Sequence, residues 1–262
     1  MSDVLIVERD GRVVTLVNDD APRNRMGLDF MDELEQQVDA LAQDDSVGAV
    51  VIRGAGEEHF SVGMNLKQLP EGIERKGSFE ALLDQRLRVI SKIENMNKPW
   101  IATMYGYCLG GGLELPLGCH FRLAAAEGAK IGLPELDLGT LPAWGGTARL
   151  TRTVGRAAAL DIILRVKMLD GPEALRIGLV HEVWPNDELQ QRAQDLAHEL
   201  AVKPPHAVAS VLRCVVGAEG ASLDEALRVE RQEVRKTQGG AEMREGMRAF
   251  LEKREPNFFP DA

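Results

Sequence analysis

Unbroken apolar runs alternate with amphipathic stretches along the first two-thirds of the chain, and the two patterns predict different elements. Residues 4–8 and 13–17 are short β-prone runs joined through Asp10-Gly11, which predicts a hairpin. Phe30, Leu34, Val38 and Leu41 recur at helical spacing, so residues 27–43 are predicted as an amphipathic helix leading into a buried strand at 49–52. A second helical pattern over 82–93 precedes the apolar run Trp100-Ile101-Ala102-Thr103-Met104-Tyr105. Strand and helix then alternate to about residue 155. Beyond Lys203 the pattern is helical throughout, with breaks at Pro204-Pro205, Gly217-Ala218-Glu219-Gly220 and Gly239-Gly240.

Composition narrows the function classes. A chain of 262 residues with 44% apolar content buries one large core, with room for a small helical appendix. The net charge of −10, with no Lys/Arg block or interleaved aromatic stripe, argues against a nucleic-acid partner. No span of eighteen apolar residues occurs, and the opening residues carry neither a signal nor an Arg-rich transit pattern, so no membrane is expected and the compartment is expected to be the cytoplasm. Cys108, Cys119 and Cys214 are odd in number and lie in apolar contexts, which reads as reduced core thiols. The histidines are too scattered for a metal site, so none is expected.

The chemistry concentrates in Gly110-Gly111-Gly112-Leu113-Glu114 and, about twenty residues on, Leu133-Pro134-Glu135. Three glycines after the apolar run read as a strand turning sharply into a helix, because glycine accepts the backbone angles of such a turn and lets a ligand approach. A helix beginning near Gly111 or Gly112 leaves its first N–H groups unpaired, an oxyanion donor by construction. Glu114 then falls in the first turn, where burial raises its pKa and the helix dipole lowers it. A third segment, from Gly54 through His59-Phe60-Ser61-Val62-Gly63-Met64-Asn65 to Leu66, follows the buried strand at 49–52 and reads as a loop at its carboxyl end, where open α/β sheets bind ligands.

Those residues resemble the crotonase superfamily, the enoyl-CoA hydratases and isomerases. The run Phe60 to Asn65 matches the family's first signature. The resemblance continues through Asn97-Lys98-Pro99, Gly132-Leu133-Pro134-Glu135, Gly145-Gly146-Thr147-Ala148-Arg149-Leu150, Gly171-Pro172-Glu173-Ala174 and the stretch from Glu245 to Arg254. It implies a crotonase-type α/β spiral of repeated ββα units over residues 1–200, with a C-terminal helical oligomerisation region over 201–262. It also implies a homotrimer or a dimer of trimers. By family position the amides of Met64 and Gly111 form the oxyanion hole, Glu114 activates water and Glu135 serves the α-carbon. The substrate implied is an acyl-CoA thioester, so coenzyme A arrives as part of the substrate and no separate cofactor is needed. Candidates for substrate contact are Arg23, Ser61, Val62, Asn65, Leu66, Lys67, Trp144, Phe250 and Lys253, the last from a neighbouring subunit.

Two carboxylates favour hydration of a 2-enoyl-CoA over double-bond isomerisation, since members that only shift a double bond commonly retain just the second. Hydrolysis of a cyclic β-keto acyl-CoA is the other enzymatic reading, and a catalytically silent acyl-CoA-binding relative the non-enzymatic one. Several residues depart from the family pattern. Asn65 replaces a common Asp, Leu133 a frequent polar residue and His120 another common Asp. Pro116 falls inside the helix that carries Glu114. Trp144 replaces a small residue; facing inward it walls the acyl pocket, and facing outward it packs against a subunit.

Overall fold

The computed structural model describes residues 4–259. The ends of the chain, residues 1–3 and 260–262, on which the reading of the opening segment and the limit of the helical region partly rest, lie outside the described residues.

The predicted hairpin forms from β1 (Leu5–Asp10) and β2 (Val13–Asn18), antiparallel with Asp10 opposite Val13 across a turn that holds Gly11 at φ +56°. All six residues of β2 are buried whereas only Leu5 of β1 is, so β1 is the edge. Next come β3 (Ala49–Gly54), β4 (Trp100–Met104), β5 (Tyr107–Leu109), β6 (Phe121–Ala125), β7 (Lys130–Gly132) and β8 (Glu182–Trp184). The main sheet has the order β1-β2-β3-β4-β6-β8 and is parallel from β2 onward. β4 is buried end to end and β3 at every residue but Arg53, as a parallel sheet covered on both faces requires.

β5 and β7 pair in a second, smaller layer, which isolated bridges extend from Met26 to Met64 and from Ser61 to Cys108. Each turn of the spiral thus sends one strand into the large sheet and one into the small layer. This corrects the reading that the run from Trp100 turns straight into a helix. The chain breaks at Gly106, held at φ +50° where a Cβ would lie 1.7 Å from the Glu58 carbonyl oxygen, and β5 intervenes before the glycine triplet.

α1 (Leu28–Gln43) buries Leu28, Phe30, Met31, Leu34, Val38 and Leu41 on one stripe. A short helix that the pattern did not predict, α2 (Leu69–Lys76), opens on Leu69-Pro70 and ends at Gly77 in the left-handed conformation. α3 (Phe79–Glu94) starts three residues earlier than expected because Ser78 caps it, its Oγ accepting from Ala81 N at 3.0 Å. The remaining helices are α4 (Gly111–Leu117), α5 (Gly146–Leu164), α6 (Gly171–Arg176), α7 (Asn186–Ala201), α8 (Pro205–Ala218), α9 (Leu223–Thr237) and α10 (Ala241–Glu252). Cys108 and Cys119 are core thiols as expected, but Cys214 on α8 is only half-buried, because most of that helix stands off the sheet.

Candidate active site

Two backbone segments meet at the carboxyl ends of β3 and β4. Gly63 packs directly on the start of α4: a Cβ placed on it would lie 2.6 Å from the Leu109 carbonyl oxygen and 3.2 Å from the Gly111 nitrogen. Only glycine, here at φ +86°, permits that approach. Ser61, fully buried, accepts from Gly63 N through Oγ at 3.0 Å and fixes the turn. Neither Met64 N nor Gly111 N donates a hydrogen bond among the described residues, so two free amides face the same cavity.

The loop that carries Met64 is locked from behind. Asn24, buried at φ +47°, donates through Nδ2 to Ala55 O at 2.9 Å and His59 O at 2.7 Å. His59 Nδ1 in turn accepts from Tyr107 N at 3.1 Å, tying the loop to β5. The sequence reading did not assign these two residues a role; an Asn at a turn ahead of a helix was the signal available.

Glu114 projects from the first turn of α4 and is 2% exposed. One oxygen, Oε1, accepts from Trp144 N at 2.7 Å and Gly146 N at 2.8 Å, leaving Oε2 free of protein partners among the described residues. Burial pushes its carboxyl up to about 7, with the negative charge of Glu135 adding to the rise, against the two backbone donors and Arg149, which pull it down. Glu135 begins a short turn of 3₁₀ helix and lies over Gly110: a Cβ on that glycine would be 2.9 Å from Glu135 Oε1. Its Oε2 is buried without a partner, and burial raises its pKa as well. Pro116, flagged as a departure, costs α4 the donor that would reach Gly112 O. The Cys108 thiol fills that place at 3.0 Å.

The cavity of about 470 Å³ between these groups is lined by Val62, Met64, Leu66, Gly111, Glu114, Glu135 and Trp144, with Leu69, Phe79, Leu83 and Leu141 completing its apolar wall. Trp144 faces inward. It is 4% exposed, and its ring lies so close over Gly111 that a Cβ there would sit 2.4 Å from the indole Cζ3. Of the other candidates for substrate contact, Ser61 lies beneath the cavity floor and acts on the backbone. Asn65, and the exposed Arg23 and Lys67, flank the cavity loop without lining it. Phe250, 82% exposed, and Lys253 are on and just after α10, outside the cavity of their own chain. His120 accepts from Trp100 N and is held down to about 4 by burial, so it is a neutral structural group. Among the described residues no cluster of three or more His, Cys, Asp or Glu is placed to hold a metal ion.

Arg149 is the residue the sequence reading quoted without assigning a task. Its Nη1 donates to Trp144 O at 3.1 Å, while Nε and Nη2 donate to Glu94 Oε2 at 3.1 and 2.7 Å and Nη2 to Ser91 Oγ at 3.0 Å. The guanidinium therefore braces the Trp144-Gly145-Gly146 turn whose amides hold Glu114, with Gly145 at φ +99°. Arg149→Met is expected to loosen those donors and remove a nearby positive charge, both of which raise the Glu114 pKa. The acid limb of the pH–rate profile should move up by about half a pH unit or more.

The chain belongs to the enoyl-CoA hydratase/isomerase family, whose model matches residues 11–260. It is 36% identical over 256 residues to a probable enoyl-CoA hydratase of Bacillus subtilis, covering 97% of each chain. It is 34% identical over 255 residues to the 2,3-dehydroadipyl-CoA hydratase of Escherichia coli, covering 97% of this chain and 98% of that one. The fold superposes on the crystal structure of an enoyl-CoA hydratase from Geobacillus kaustophilus with a TM-score of 0.92, at 30% identity, covering 98% of this chain and 97% of that one. The spiral α/β architecture expected from the resemblance is the architecture observed. No described helix is long and apolar enough to cross a membrane.

Proposed function

We propose that this protein adds water reversibly to a 2-enoyl-CoA thioester, with coenzyme A entering as part of the substrate and no separate cofactor. The observation that carries this reading is the arrangement of two carboxyls, the buried Glu114 and the half-buried Glu135 with its enclosed Oε2, around one cavity that also presents the free amides of Met64 and Gly111. The thioester carbonyl accepts those two N–H groups. As water adds at the β-carbon, negative charge collects on the carbonyl oxygen, and each preorganised donor lowers that barrier by roughly 3 kcal/mol. Glu114, through the free Oε2, takes the proton from water. Glu135 delivers a proton to the α-carbon and collapses the enolate to the 3-hydroxyacyl product. The relatives' names include both a probable enoyl-CoA hydratase and a 2,3-dehydroadipyl-CoA hydratase, and in this chain the inward Trp144 forms part of the cavity wall that meets the acyl group.

The same reading makes the protein a trimer or a dimer of trimers. Support comes from the exposed apolar side chains of α8 to α10, including Val215, Leu223, Met247, Phe250 and Leu251. The three free cysteines are in keeping with a cytoplasmic compartment.

The test is loss of the conjugated enoyl absorbance of crotonyl-CoA, followed against pH. The rate should rise as pH increases through about 7, where Glu114 ionises. A flat profile across that range, or no absorbance loss with folded protein, would count against Glu114 as the base.

A further inference from the structure

α3 buries a charged residue in the middle of its apolar stripe. Leu82, Val89, Ile90 and Ile93 face the core, and Arg86 lies among them with no exposed surface. Its Nη1 donates to Leu82 O at 3.2 Å and to Gln85 Oε1 at 2.6 Å. Nε and Nη2 are buried and have no partner. Gln85 donates onward to Asp32 at 2.6 Å and Glu35 at 3.1 Å, so the charge is balanced at one remove. Burial lowers the guanidinium to about 10, which leaves it protonated at neutral pH. Unmatched buried donors are costly, and the two left open here form one edge of the guanidinium, the edge that receives a carboxylate through two parallel hydrogen bonds.

The position of Arg86 relates that edge to the cavity. α3 lines the cavity through Phe79 and Leu83, and Arg86 follows them by seven and three residues, on the same helix face and one turn deeper. Its Cζ is 5.9 Å from the centroid of the Trp144 ring, whose six-membered edge covers Gly111. Trp144, which adjoins both Arg86 and Gly111, and Leu83, one turn before Arg86 on the cavity wall, are therefore the side chains that border both the cavity and a buried cation with two open donors. We propose that Arg86 is the recognition group for a terminal carboxylate on the acyl chain, reached as those two side chains yield to the substrate. The substrate class is then a short 2-enoyl-CoA thioester of a dicarboxylic acid. This rests on the hydratase reading above for the reaction, but not for the binding.

Two measurements separate the parts. In the first, kcat/KM for glutaconyl-CoA is compared with that for crotonyl-CoA in the parent, Arg86→Met and Arg86→Lys. The parent should favour the carboxylated thioester by tenfold or more. Arg86→Met should lose that preference, mainly through KM, and Arg86→Lys, which keeps the charge but not the fork, should fall between them. Equal or reversed preference in the parent, or an unchanged ratio in Arg86→Met, overturns the inference. In the second, calorimetry with the saturated thioesters glutaryl-CoA and butyryl-CoA reads the parent without turnover and without any variant that must fold. Tighter binding of glutaryl-CoA by tenfold or more supports Arg86 as the anchor even if no hydration occurs, and equal affinity overturns it.

Discussion

Glu114→Gln is expected to lower kcat for crotonyl-CoA hydration by about 10³-fold and, in the same protein, to raise stability at alkaline pH. The activity loss follows from removing the carboxylate whose free oxygen is assigned the proton of water, a contribution of about 10² to 10⁴ for general base catalysis. The stability gain follows from the sign of the pKa shift. Folding raises the Glu114 pKa from 4.5 to about 7, so between those values the folded protein holds more protons than the unfolded chain, and stability falls as pH rises. Above about pH 7 the whole cost of burying the carboxylate is present, up to about 3 kcal/mol at 1.36 kcal/mol per pH unit. Glutamine keeps an oxygen for the Trp144 and Gly146 amides and carries no charge. Denaturant unfolding of parent and variant at pH 8 and at pH 4.5 checks this: the variant should lead at pH 8, and the gap should close at pH 4.5. A gap that does not depend on pH would show that Glu114 is not a buried, strained carboxylate.

Glu135→Gln carries the second large effect and separates the roles of the two acids. Hydration should again fall by about 10³-fold, because no acid remains to serve the α-carbon. The distinguishing readout is exchange of the α-hydrogens of butyryl-CoA with deuterium from solvent, which needs the oxyanion hole and Glu135 but no β-hydroxyl chemistry. Exchange should persist in Glu114→Gln and vanish in Glu135→Gln. The buried, partnerless Oε2 of Glu135 is the group assigned that proton. Loss of exchange in Glu114→Gln with retention in Glu135→Gln would reverse the assignment.

The four central groups, Met64, Gly111, Glu114 and Glu135, were legible in the sequence because each sits in a short run whose chemistry is local: a glycine that frees an amide, or a carboxylate beside a turn. The groups that hold them were not. Arg149 acts on Trp144 O while anchored to Glu94 and Ser91, more than fifty residues earlier. Asn24 locks a loop more than thirty residues away. Such contacts exist only once the spiral has brought its turns together, and no local period encodes them. Ser61 shows the same limit in reverse, since its place in the signature suggested substrate contact, whereas folding buries it against Gly63 N. Trp144 could face either way in sequence terms, and its direction is decided by the bare surface of Gly111, which leaves room for an indole. β5 was hidden because the apolar run before it reads as one strand. The break is made by Gly106, whose need for positive φ is set by the distant Glu58 backbone.

The most direct test of the paired-carboxylate account is product analysis of crotonyl-CoA incubated with the protein in deuterium oxide. The account predicts 3-hydroxybutyryl-CoA bearing one deuterium at the α-carbon, formed by the parent and formed about 10³-fold more slowly with either Gln variant. Release of free coenzyme A, or a double bond moved without gain of water, would contradict it.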